Sequence, residues 1–181
     1  MASISSRVAR SFVVMATAAW LVGVPAAAIA QSGGSTPAKP VSGLGYGFAG
    51  VGAAIGDGDS TGTWHVGGGG EAIFAGAIGV GAEIGYLNSF EEDSEGIGVF
   101  SVNGSYHFGG GSPSRKVRPF VTGGYTLGFQ DGHANLFNVG GGVDFWLKPK
   151  VGLRVEFRDH IWTRDNDTVQ FLGVRAGVTF R

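Results

Sequence analysis

The chain has no cysteine, so neither a disulfide framework nor a thiolate zinc site can hold it together. Charge is also scarce: Asp, Glu, Lys and Arg make up 15% of the 181 residues, and 13 basic against 14 acidic side chains leave a formal net charge of -1. Such a chain has no long-range field with which to capture nucleic acid. Proline numbers 6, and glycine, although it reaches 35, follows no three-residue period, which excludes a collagen. Hydrophobic residues at 43% and aromatics at 12% exclude a disordered chain, which has too little apolar surface to offset its conformational entropy. A sustained helical period is missing after Gly43, which leaves strands as the means of building a core.

What is present begins with an address. Arg7 and Arg10 precede the apolar run from Phe12 to Val24, and small residues at Ala28 and Ala30 close the segment. Basic start, apolar middle and small-residue end make up an export signal, and cleavage is expected after Ala30. The apolar run is shorter than the roughly 20 residues of a stable membrane helix, so retention as an anchor is disfavoured. Residues 31–42, rich in Ser, Gly and Pro, read as a flexible lead-in to a single domain over 43–181.

In that domain two-residue alternation recurs. Phe100, Val102, Gly104, Tyr106 and Phe108 share one face of a segment whose other face carries Val99, Ser101, Asn103, Ser105 and His107. Val151, Leu153, Val155 and Phe157 likewise oppose Gly152, Arg154, Glu156 and Arg158. Strands are expected near 44–55, 64–75, 78–88, 97–108, 118–130, 135–147, 150–162 and 168–180. The segments between them alternate in charge. Asp57–Thr63, Asn88–Gly96, Asp131–Ala134 and Thr163–Asp167 are acidic and polar, whereas Gly109–Val117 and Lys148–Lys150 carry Arg115, Lys116, Lys148 and Lys150. One end of the molecule is expected to be acidic and the other basic.

Alternation fits a soluble sandwich as well as a membrane barrel, and the charges decide between them. Glu71, Glu83, Asp144, Arg154, Glu156, Arg158 and Arg175 lie opposite the apolar residues of their own strands. A soluble eight-stranded barrel would have to pack Phe100, Tyr106, Phe108, Tyr125, Phe129, Phe145 and Phe157 inside, where there is room only for modest side chains. The inverted arrangement avoids the crowding: aromatics face lipid, concentrated near the strand ends, and paired charges fill a glycine-rich lumen. The expected fold is therefore all-β, a closed eight-stranded antiparallel transmembrane barrel with short turns at one end and longer loops at the other.

The last segment alternates Leu172, Val174, Ala176, Val178 and Phe180, and in this it resembles the C-terminal signal read by the outer-membrane barrel assembly machinery. Residues 43–181 as a whole resemble the eight-stranded outer membrane β-barrel family that includes outer membrane proteins A and X. Members of that family usually finish on the aromatic residue itself, whereas here Arg181 follows Phe180. The resemblance implies an outer-membrane location in a Gram-negative envelope, a monomer, and both termini in the periplasm, so that the acidic connections become outer loops. It also implies contact with outer membrane lipids and lipopolysaccharide, and with the assembly machinery.

The remaining motifs carry little chemistry. Gly45-Tyr46-Gly47-Phe48-Ala49-Gly50 satisfies the pattern G-x-G-x-x-G, and 66–71 is a second glycine cluster, but no helix follows either to aim its amides at a phosphate. Small residues lining a narrow barrel are the simpler account. The lumen acids and bases could perform acid/base chemistry, yet their near balance of sign suits a structural plug. Asn103, Ser105 and His107 share a face and could bring a hydroxyl to an imidazole, as in a hydrolase, but they point to the lumen rather than to lipid. His65, His107, His133 and His160 are scattered without ligand spacing. No catalytic residue, metal or cofactor is expected. The leading expectation is a non-enzymatic barrel with a structural, envelope-integrity or surface-interaction role. A small pore or hydrophobic-ligand conduit is the alternative, and a lipid-modifying hydrolase comes third.

Overall fold

The computed structural model describes residues 41–181 apart from 57, 110–114, 131 and 165–166. The expected export signal Met1–Ala30, most of the lead-in, and Asp57, Asp131 and Asp165 of the expected acidic connections lie outside the described residues.

Eight strands follow one another: β1 (Ser42–Gly56), β2 (Asp59–Phe74), β3 (Ile78–Ser89), β4 (Ile97–His107), β5 (Val117–Phe129), β6 (His133–Trp146), β7 (Val151–Arg164) and β8 (Asp167–Phe180). Each pairs antiparallel with its sequence neighbours, and β8 returns to β1, so the sheet is a closed barrel. The closing seam runs from Gly45 opposite Phe180 to Ile55 opposite Gln170. Closure leaves no strand edge, which is what a sheet in hydrocarbon requires of its backbone amides.

The pleat decides what lines each side. In β4, Phe100, Val102 and Tyr106 are exposed, while Val99, Ser101, Asn103 and His107 are buried. In β7, Leu153, Val155 and Phe157 face out, and Arg154, Glu156 and Arg158 are buried. A continuous exposed apolar surface therefore surrounds a core with charges in it, the inverse of a soluble protein. Aromatics gather towards the two ends of this surface. Phe74, Tyr106, Phe108, Phe145 and Phe180 lie at the end where β1 begins and β8 stops, the terminal end, and Phe90, Phe129 and Phe137 lie towards the other, distal end.

The lumen is greasier than the charge argument alone would suggest. Leu44, Ile73 and Trp146 form a buried cluster near the terminal end, with Tyr46 packed against it. Leu87, Ile97 and Val99 form a second, with Phe171 against it, towards the distal end. Two apolar caps thus bracket a polar middle.

The expected division into short turns at one end and longer loops at the other is corrected. At the distal end Asp59–Thr63 pair with Gly52–Gly56, so β2 begins before the expected 64 and only 57–58 join it to β1. Arg164 likewise pairs with Asp167 across 165–166. Phe90–Gly96 is the longest distal connection, while 108–116, at the terminal end, is longer. Polar residues there continue the ladder beyond the apolar band: side-chain polarity marks where the strand meets water, and backbone pairing does not depend on it.

The tight terminal hairpin between β2 and β3 turns through Ala75 (φ 51°) and Gly76 (φ 72°), with the Ala77 amide donating to the Phe74 carbonyl at 3.1 Å. Two consecutive positive φ values give the turn a twist that matches its strands.

Candidate functional site

Charged side chains of both signs converge in the lumen, which holds them in two connected groups. In the upper group, Arg175 on β8 makes a two-pronged contact with Glu83 on β3, both N–O distances being 2.7 Å, and reaches Glu156 on β7 at 3.1 Å. Glu156 accepts from Arg158 Nε at 2.7 Å. Arg158 donates in turn to Asn138 on β6, whose amide donates to Asn103 and Thr126 at 2.9 Å each. Ser101 and Thr126 hydroxyls close the chain at 2.8 Å. Planar guanidinium groups suit such bidentate work, and the buried lone pairs are largely used.

The lower group sits nearer the terminal end. Glu71 on β2 meets His107 Nε2 at 3.0 Å and accepts from the Ser105 hydroxyl. Arg154 lies 3.8 Å from Glu71 and 3.1 Å from Asp144, and Asp144 is 3.6 Å from Arg118 on β5. These contacts are longer than those above, and Asp144 accepts no aligned hydrogen bond. Aromatic rings bridge the two groups. Arg154 lies over Phe120 at 4.0 Å and Tyr46 at 4.5 Å, and the Tyr46 hydroxyl donates to Glu83 at 3.1 Å. Arg175 lies over Phe48 at 4.0 Å. The negative faces of the rings add to cation stabilisation where water is excluded.

All seven lumen charges named from the sequence are buried: Glu83, Glu156, Arg158 and Arg175 come together in the upper group, and Glu71, Asp144 and Arg154 in the lower. Arg118 was missed, and it brings the tally to four acids and four bases. Its signal was available, because its position matches Phe120 and Thr122 in parity, but it lies beside Arg115 and Lys116 in a basic stretch that reads as a turn. Of the C-terminal residues, Val174, Ala176, Val178 and Phe180 are exposed on the outer face and Leu172 is partly so.

Ser105 and His107 come within 3.2 Å, but the arrangement does not make a nucleophile. A hydrolytic triad uses the two imidazole nitrogens in opposite directions, one towards the hydroxyl and one towards the acid. Here Nε2 faces both Ser105 and Glu71, Nδ1 is buried with no partner among the described residues, and the hydroxyl donates its hydrogen bond to Glu71 directly. His107 is fully buried. His65 and His160 stack edge-on at 5.8 Å, and among the described residues no group of three or more His, Cys, Asp or Glu is placed to hold a metal.

Space in the lumen is small. A cavity of about 20 Å³ lies between Thr63, His65, Leu87 and Arg158, and one of about 10 Å³ between Tyr46, Asn103, Thr122 and Arg154. Each has room for roughly one water. A larger hollow of about 500 Å³ lies below Trp146 at the terminal mouth.

The chain is similar in structure to Neisserial surface protein A, at 14% identity and a TM-score of 0.56 over 78% of this chain and 99% of that one. It is similar also to the N-terminal β-barrel domain of Pseudomonas aeruginosa OprF, at 14% identity and a TM-score of 0.52 over 79% and 99%. No curated protein matches the sequence. At these identities the likeness shows the fold. The family comes from the sequence itself, which matches the outer membrane protein β-barrel domain over residues 15–180. With its closed barrel, apolar belt and charged lumen, the chain belongs to the outer membrane protein β-barrel domain family.

Proposed function

We propose that the protein is a non-enzymatic, plugged barrel that serves the outer membrane structurally, maintaining envelope integrity or presenting its acidic distal rim for surface contact. One observation carries this reading: the lumen is crossed by bonded side chains from β3, β8, β7, β6, β4 and β5, and the cavities described beside them, of about 20 and 10 Å³, each have room for roughly one water. A hydrated ion has no path through such a cross-section unless the pairs come apart. Purified protein in planar bilayers is expected to give no steady conductance. Reproducible open channels abolished by lumen substitution would replace this reading with a pore.

The barrel works in this account as a monomer in contact with outer membrane lipids and lipopolysaccharide. Met1–Ala30 directs export and is removed, and Leu172, Val174, Ala176, Val178 and Phe180 present the face read by the assembly machinery. N-terminal sequencing of the protein recovered from outer membranes is expected to begin at Gln31. A mature chain that still begins at Met1 would contradict the export signal and leave the barrel assignment standing.

A further inference from the structure

The terminal mouth of the barrel has chemistry that the plug does not use. Its hollow of about 500 Å³ is lined by Arg115, Lys116, Arg118, Lys148 and Arg181, with no Asp or Glu among the described residues that line it. Its apolar side is Leu44, Ile73 and Trp146. Two of the cations are held in place around one ring: the Arg181 guanidinium lies 4.0 Å from the centre of Trp146 and that of Arg118 lies 5.9 Å from it. Arg181 Nε also donates to the Pro149 carbonyl at 2.8 Å.

Inside this ring of positive charge, two donors go unused. Trp146 Nε1 and Arg118 Nε are buried and find no acceptor among the described residues, on residues only 6% and 8% exposed. A buried N–H without an acceptor is costly, and near-complete satisfaction is the rule in folded proteins. Asp144, the nearest acid, is already shared between Arg118 and Arg154. Both donors sit on residues that line the hollow, and with the cationic rim they suit an oxygen-rich anion.

We propose that the terminal mouth is a binding site for a phosphate or phosphate ester. A single carboxylate would meet one or two of the cations. A phosphoryl group presents several strong acceptor oxygens and more than one negative charge, and can face the rim lysines while accepting from Trp146 and Arg118. The same chemistry is found in a phospholipid headgroup and in a free phosphate compound. The site stands on the mouth alone and holds whether or not the barrel conducts.

Calorimetric titration of the purified full barrel in zwitterionic micelles with inorganic pyrophosphate tests it. One saturable site is expected. Reversing two rim charges, Lys116→Glu with Lys148→Glu, is expected to weaken it about tenfold or more. Trp146→Phe, which keeps a ring and removes the N–H, is expected to weaken it about threefold. Glu92→Gln, at the other end, leaves it unchanged, and strand content by circular dichroism checks that each variant is folded. Adding phosphatidylglycerol to the micelles separates the sources: competition against pyrophosphate, absent with phosphatidylcholine, assigns the site to a headgroup, and its absence assigns it to a free phosphate. Absence of saturable binding overturns the proposal. So does a loss confined to the lysine variant with Trp146→Phe at full affinity, which would reduce the mouth to diffuse charge.

Discussion

Among single residues, Glu156 holds the most. It is 1% exposed and lies between Arg158 and Arg175, so its removal leaves two guanidinium groups short of their anion in a place water hardly enters. Breaking a buried pair from one side costs about 3–5 kcal/mol, because the remaining charge stays desolvated. Arg175 keeps Glu83, which places Glu156→Ala towards the lower part of that range. Glu92, exposed in the distal connection, is expected to matter little when replaced by Ala, as surface charges do. Urea or thermal denaturation of both variants in one detergent makes the comparison, and equal damage would mean that the inward and outward faces have been exchanged. Parity along each strand makes the burial of these charges legible in the sequence. Their partners are less so: nothing in the local pattern of Arg175 or Glu83 says that they meet, since the two positions come together only through closure. Tyr46 shows the same limit. In the sequence it stands only as a member of the Gly45–Gly50 stretch, and its tie between the two charged groups depends on how the strands are placed around the barrel.

For the strands, glycine sets where large side chains can go. A Cβ on Gly79 would run into the carboxylate of Glu71 and the hydroxyl of Ser105. Glu71 cannot simply swing aside, because Ser105 and His107 hold one of its oxygens and Arg154 lies beside the other. Gly79→Val is therefore expected to destabilise the barrel by about 1–3 kcal/mol, the usual range for overpacking. Gly43→Ala, where an added Cβ meets nothing within 4 Å, serves as the control in the same melting experiment. Damage from Gly43→Ala equal to that from Gly79→Val would show that backbone freedom, rather than lumen space, is what glycine supplies. Existence and order of the strands can be read from alternation, as β4 and β7 show. Their distal ends cannot. Asp59, Ser60 and Thr61 have turn-like composition, yet they pair with Ala54, Ile55 and Gly56 because a barrel strand continues above the lipid wherever its neighbour offers a ladder.

The whole molecule has an asymmetry along its axis. Exposed Asp59, Glu91, Glu92, Asp93, Glu95 and Asp167 mark the distal end, and Arg115, Lys116, Lys148, Lys150 and Arg181 mark the terminal end. This division is legible in the sequence because it needs only the order of the connections. The closing seam between β1 and β8 has a further consequence, for the order of events during folding. Arg175 and Glu83 are separated by 92 positions, and Arg175 belongs to β8, which closes the barrel against β1. Contacts so distant in sequence form slowly, after the chain between them has been ordered. Until β8 reaches β1 the lumen is an open trough whose acids and bases can keep their hydration shells. Water leaves them when the seam zips, at the moment when each charge first has its partner. Pairing at closure spares the chain an unpaired, dehydrated ion, and eight charges inside one barrel are tolerable because the seam that buries them also joins them.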